Sequence, residues 1–192
     1  MSRTEAAVLA FTALYVSVAA VLSVQRSNAE FVLYIGVMVV LGAAVWVLHR
    51  RVSLHPLSLW GLSLWGLAHM LGGLWHVSEE TGVLYNLRFW TDGLKYDQAV
   101  HAYGFALSTW LCWQALRPAL AARRPTFGLS VLCALGGMGL GAVNEIVEFV
   151  AVLTIPETNV GGYVNTGWDL VSNAVGAGIA ATAIWISGRR RS

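Results

Sequence analysis

Four pairs of polar residues stand inside otherwise apolar stretches, and their types and spacings define the chemistry this chain can carry. His69 and His76 are seven positions apart, Asp97 and His101 four, Glu145 and Glu148 three with Asn144 adjacent, and Asp169 and Asn173 four. Each spacing stacks two side chains on one face of a helix, since a residue advances about 100° around the axis. Carboxylates and imidazoles without thiolates are the ligand set of zinc, iron or manganese. Bundle cores that hold paired metals also draw carboxylates and histidines inward from facing helices. The Glu-x-x-His of that class is absent here, and Asp97-x-x-x-His101 stands nearest to it. The expected ligands of a divalent metal are therefore His69, His76, His101, Asp97, Glu145, Glu148 and Asp169, with Asn144 and Asn173 in support. Glu148 and Asp97 are the catalytic candidates, Glu148 as general base on a water at the metal.

Such residues need elements to position them, and the composition says which. The chain has 192 residues, 57% of them hydrophobic and 11% charged, against about 25% charged in an average soluble domain. Its mean hydropathy is +0.63. These figures exclude a soluble enzyme, a disordered linker and a secreted disulfide scaffold; only lipid can cover so much apolar surface. A net charge of +2 is too small to suggest nucleic acid as a partner. Cys112 and Cys133 lie in apolar runs and read as packing residues. Six stretches, near 5–24, 29–48, 57–77, 97–117, 127–153 and 168–187, approach or exceed the roughly 20 residues that cross a hydrocarbon core. Backbone groups in lipid must be satisfied within their own segment. The expected fold is an all-α integral membrane bundle of six transmembrane helices, one domain over residues 1–192. The first stretch follows Arg3 without a small-x-small cleavage site and reads as a helix, not a signal peptide.

Basic residues orient the spans. Arg3, Arg50, Arg51, Arg117, Arg123, Arg124, Arg189, Arg190 and Arg191 fall on one side, and Arg26, Arg88 and Lys95 on the other. By the positive-inside rule both termini are cytoplasmic, in a cytoplasmic (inner) membrane. Glu145 and Glu148 then lie roughly 27 to 32 Å along the fifth span, near its outer end. All four polar pairs share the outer leaflet. Each carboxylate at mid-bilayer costs about 2.5–3.5 kcal/mol, so four approach the roughly 5–15 kcal/mol stability of a whole domain. No Lys or Arg lies inside the polar-bearing spans, and Lys95 and Arg88 could reach in only from the loop. Protons or a cation must neutralise the set. The outer segment 78–96, with Glu79, Glu80, Asp92, Phe89 and Trp90, suits the interface; 154–167 reads as a plain surface loop. Gly137 and Gly141 form a GxxxG packing signal. Bland readings stand beside these: a lone His69 or His76 fits helix packing, Asp97 and Asp169 fit N-caps of the fourth and sixth helices, and Asn173 fits an interhelical bond. Glu145 and Glu148 have no such alternative.

At these residues the chain resembles two groups of small membrane proteins. Asp97-Gln-Ala-Val-His101 with Tyr103, and Asp169-Leu-Val-Ser-Asn173-Ala-Val-Gly176, resemble the D-x-x-x-H and D-x-x-x-N-x-x-G motifs of VanZ-like proteins. Tyr96-Asp97 with His101, Glu145-Ile-Val-Glu148, Trp168-Asp169 and the His69-to-Gly73 stretch resemble the YjdF-like inner-membrane family. The likeness covers roughly residues 66–180. The chain departs by having Glu148 where VanZ-like proteins have Gln, no Arg before Asp169, and Asn173 where the YjdF pattern has Asp. The resemblance implies a small polytopic protein with outward polar motifs and supplies no reaction.

Three functions fit. The first is a metal-dependent membrane hydrolase or transferase acting on a membrane lipid or lipid-linked envelope substrate. The second is a proton or divalent-cation transporter, weakened by the absence of a repeat and of midplane polar residues. The third is a non-enzymatic envelope protein with a structural acidic pocket. A retinal protein is excluded because the sole lysine, Lys95, is in a loop; four carboxylates make a haem site a poor fit.

Overall fold

The computed structural model describes residues 1–91, 93–120 and 124–189; Asp92, Arg123, Arg190 and Arg191, used above in reading charge, lie outside the described residues. The described chain forms six α-helices: α1 Arg3–Gln25, α2 Ala29–Val52, α3 Pro56–Leu74, α4 Tyr96–Ala119, α5 Phe127–Thr154 and α6 Tyr163–Arg189. Local signals set their starts. Ser2 and Glu5 close a capping box on α1, Asn28 and Thr126 cap α2 and α5, and Pro56 opens α3 where its missing N–H costs nothing. Ser27 and Ser53 take left-handed backbone at the tight links either side of α2.

Whole faces of these helices are apolar and bare. On α5, Leu132, Leu135, Ile146, Phe149 and Leu153 are exposed, as are Leu14, Val18 and Val21 on α1 and Val39, Val40 and Val47 on α2. Water would not tolerate patches of that extent. Five helices, α1, α2, α3, α5 and α6, are long and apolar enough to cross a membrane. The fourth expected span, α4, carries Asp97, Gln98, His101, Ser108, Thr109 and Gln114 and is not among them. It packs against α3, α5 and α6, which relieves it of a lipid-facing surface.

Small residues bring α4, α5 and α6 close. A Cβ at Gly176 of α6 would strike the Ala102 backbone of α4. The GxxxG pair serves two neighbours: Gly137 lies against Thr109 of α4 and Gly141 against Asn173 of α6. At one end of the bundle Arg26 Nη1 donates to the Leu74 carbonyl at 2.7 Å, and the Asn159 backbone and side chain donate to Glu30 at 2.8 and 3.0 Å. At the other, His49 meets Glu5 at 3.4 Å and the His55 N–H donates to Gln114 Oε1 at 2.7 Å. Consecutive helices therefore run antiparallel.

Two expected boundaries are corrected. The third helix stops at Leu74, not near 77. His76–Ser78 is a strand, β1, paired antiparallel with β2, Gly82–Val83, whose first residue Gly82 leaves the turn with φ +70. A single 3-10 turn, Leu84–Asn86, follows. The sixth helix starts at Tyr163 rather than near 168, because Asn165 and Thr166 already donate backwards to the Gly162 carbonyl. Part of the stretch read as plain loop is thus the first turn of α6.

Candidate functional site

Three helices converge on one imidazole. His101 of α4 is 1% exposed and stands at the centre. Its Nε2 lies 3.6 Å from Asp97 Oδ1 and 3.9 Å from Glu148 Oε1, and its Nδ1 lies 3.5 Å from Glu145 Oε1. Asn173 of α6 is 3.1 Å from Nδ1. With Nδ1–H donating to that amide oxygen, Nε2 keeps its lone pair toward Asp97 and Glu148. Asp169, also 1% exposed, accepts from Asn165 Nδ2 at 2.6 Å, and Asn165 reaches Asp97 Oδ2 at 3.4 Å. Asn144 Nδ2 donates to Glu148 Oε1 at 2.9 Å.

The separations discriminate between chemistries. Gaps of 3.6 and 3.9 Å from Nε2 are long for charge-assisted hydrogen bonds, which close to about 2.7–2.9 Å. Two ligands each about 2.1 Å from a tetrahedral ion stand roughly 3.4 Å apart, close to what is seen. Asp97, His101 and Asp169 form one potential ligand group, and His101, Glu145 and Glu148 a second, the atoms of each within 4.8 Å of one another. Both oxygens of Glu145 and Oδ1 of Asp169 are buried without a hydrogen bond. Among the described residues the basic side chain hydrogen-bonded at this margin is Lys95, whose Nζ donates to Asn165 Oδ1 at 3.2 Å rather than to an acid. Arg88 instead donates to the Gly93 carbonyl.

The N-cap alternatives for the two aspartates fail. Lys95 occupies the N-cap of α4, which places Asp97 inside the first turn, and Asp169 sits in the second turn of α6. The two histidines of the third stretch part company. His76 is exposed on β1 and shares no helical face with His69, because α3 has already ended. His69 lies beside the cluster, its ring 6.0 Å from that of His101, but it is in neither ligand group. Its Nδ1 is 2.7 Å from the Tyr85 hydroxyl, which itself donates to the His69 carbonyl at 3.0 Å. Burial holds the Tyr85 phenol well above its ordinary value, so it stays a neutral donor.

Sequence reasoning anticipated Lys95 reaching in from the loop and missed three contributors: Asn165 and the Glu30–Asn159 pair. Asn165 was legible, since Asn165, Asp169 and Asn173 repeat at intervals of four on one helical face. Glu30, 3% exposed at the start of α2, carried no spacing partner, and its contact comes from residue 159.

A cavity of about 310 Å³ opens from the cluster. Asp97 and Glu148 line it with Asn144, Asn165, Asn159 and Glu30, while Glu145 and Asp169 lie behind. It continues between α1, α2 and α3 past Met38, Leu41 and Val45 toward Glu5 and Trp46. No curated protein and no solved structure matches the chain. The family described as "Predicted membrane protein (DUF2238)" matches residues 7–190, nearly the whole length. With its bare apolar helices and its buried polar cluster, the chain belongs to that membrane-protein family.

Proposed function

We propose that this protein is a metal-dependent membrane enzyme that hydrolyses or transfers a phosphoester or acyl group of a lipid or lipid-linked substrate. The observation that carries the reading is one buried imidazole with four carboxylates around it and no basic side chain paired directly to any of them among the described residues. Two buried acids, Glu145 and Asp169, and two half-buried ones, Asp97 and Glu148, without a counter-ion are costly, and a divalent cation offsets two of those four charges. His101 Nε2, Asp97 and Asp169 would hold it, with Asn173 fixing the ring from the other nitrogen. Bound there, the ion would supply Lewis acidity and acidify a water. Glu148, oriented by Asn144 and facing the cavity, is placed to take a proton from that water. Glu145 behind His101 balances charge.

The proposed setting is a cytoplasmic membrane crossed six times, α4 included, with both termini inside and the cluster in the outer half. Nine of the twelve basic residues fall on the opposite side. The same residues carry a proposed kinship with VanZ-like proteins at Asp97–His101 and Asp169–Asn173, and with YjdF-like proteins at Tyr96-Asp97 with His101, Glu145–Glu148 and Trp168-Asp169. Ion or proton transport is the weaker reading: the carboxylates and imidazole gather at one end, and below Tyr34 the cavity wall is mainly Met38, Leu41, Val45 and Leu62, with Thr12, Tyr15 and Ser63 between the cluster and Glu5.

Elemental analysis of detergent-purified protein after zinc, iron or manganese loading tests the proposal. Stoichiometric metal is expected in the native chain, lost in His101→Leu and kept in Glu148→Gln. A native chain that takes up no stoichiometric metal refutes it.

A further inference from the structure

We infer that the cavity between α1, α2 and α3 is the seat of a single hydrocarbon chain, so that the ligand is a one-chain lipid with an uncharged, hydroxyl- or amide-bearing head at the acidic cluster. The walls become mainly apolar along the axis. Glu30, Tyr34, Tyr85, Asp97, Glu148 and Asn159 gather at the mouth. Beyond them α2 contributes Met38, Leu41 and Val45, α1 Val8 and Leu9, and α3 Leu59, Leu62 and Met70, with Thr12 and Ser63 bonded to each other and Glu5 at the far end. Tyr34, Met38, Leu41 and Val45 are spaced four, three and four along α2 and so form one continuous stripe. From Tyr34 to Val45 that stripe runs about 17 Å at 1.5 Å per residue. One leaflet of a hydrocarbon core, half of about 30 Å, is about 15 Å deep. A chain of ordinary membrane length therefore fits end to end.

The width limits the occupant to one chain. A volume of about 310 Å³ lies at the lower edge of the roughly 300–1,000 Å³ of small-molecule sites. Tyr15 and Met38 already crowd the space in front of Gly66, narrowing the passage there. The mouth selects the head. Glu30, Asp97 and Glu148 face it against one lining Lys or Arg among the described residues, Lys95, which is engaged with Asn165. Hydroxyls or amides can donate to those acceptors, whereas a further anion would meet like charge, so of the two reactions proposed above this head fits the acyl one and not the phosphoester one. The chain-binding part of this inference stands independently of the metal; placing a reactive head at Glu148 rests on the proposed function.

Gly42 provides the test. It lines the cavity deep along α2, about 12 Å beyond Tyr34, and a Cβ there would meet nothing within 4 Å. Gly42→Phe should therefore fold normally and block the far end. Gly36→Phe, on the same helix and equally uncrowded but outside the cavity, is the control. Wild-type protein and both variants in lipid nanodiscs are incubated with capryloyl or stearoyl monoacylglycerol and read by native mass spectrometry, with metal content measured on the same samples. The expected result is one stearoyl monoacylglycerol per wild-type or Gly36→Phe chain. Gly42→Phe should lose stearoyl retention at least about tenfold, equivalent to two buried methylenes, and keep the capryloyl form. Equal stearoyl retention in Gly42→Phe, or one-to-one retention of a two-chain phospholipid in place of the monoacylglycerol, overturns the inference. Chain binding as described in a protein without metal upholds it and overturns the proposed enzyme alone.

Discussion

Asn173→Leu separates what holds a metal from what holds the fold. The Asn173 side chain is 1% exposed and does two opposed things. Its Oδ1 accepts from His101 Nδ1 at 3.1 Å, which fixes the ring and leaves Nε2 free as a ligand. Its Nδ2 is buried without a partner, a state that costs about 1–3 kcal/mol. Leucine is close in size, so it removes the orphaned donor while leaving the contact with Gly141 filled. It also takes the acceptor from the buried His101 Nδ1, so the two effects offset and the metal-free protein should melt close to the native chain. Metal affinity should fall, because the freed ring can turn and can carry its proton on Nε2. Losing such an outer partner weakens metal binding by about 10–100-fold, or about 1.4–2.8 kcal/mol. Competition against a chromophoric chelator in detergent gives the affinity, and a thermal melt after chelator dialysis gives the stability. Asn173→Asp keeps the acceptor and removes the orphan, so it should bind metal at least as tightly as the native chain. Native affinity in Asn173→Leu would refute the assignment of Nε2 as the ligand atom.

Other expectations follow from the same contacts. Gly176→Val should drive α4 and α6 apart at Ala102 and destabilise the protein by about 3 kcal/mol or more; Gly178→Val on the same helix, with open space around it, should melt like the native chain. Glu30→Ala removes both acceptors of Asn159, and hydrogen exchange over 155–162 should speed up while the α4–α6 core stays protected. Tyr85→Phe should leave metal content unchanged but release His69, read as a broadened or shifted His69 ring resonance. Asn165→Ala uncouples Lys95 from Asp169; an unchanged pH dependence of metal uptake in that variant would count against the coupling.

The helix content was legible because lipid forces long uninterrupted apolar runs, and the residues at intervals of three and four named one face of α4, α5 and α6 in advance. What the sequence concealed was where helices stop. Nothing in the Trp75-His76-Val77 run forbids another helical turn; β1 forms because Gly82 allows the chain to fold back, a tertiary option that local pattern does not announce. His76 was misplaced for that reason. Asp169 looked like a cap because aspartate favours that position and the loop was read as running to 167, yet the helix begins at Tyr163. Glu30 was invisible as a site residue because its partner comes from the far end of the chain.

That long-range pairing bears on how the protein is made. Synthesis runs from the amino terminus, yet Glu30 waits 129 positions for Asn159, and His101 waits 72 for Asn173. An emerging chain must shelter an unsatisfied acid of its second helix until the last two hairpinned segments arrive, so the link between α5 and α6, which brings Asn159, and the sixth helix, which brings Asn173, are the pieces that complete the mouth and the grip on the imidazole. Ribosome-stalled or truncated products ending before residue 159 are the forms that a membrane quality-control protease should recognise.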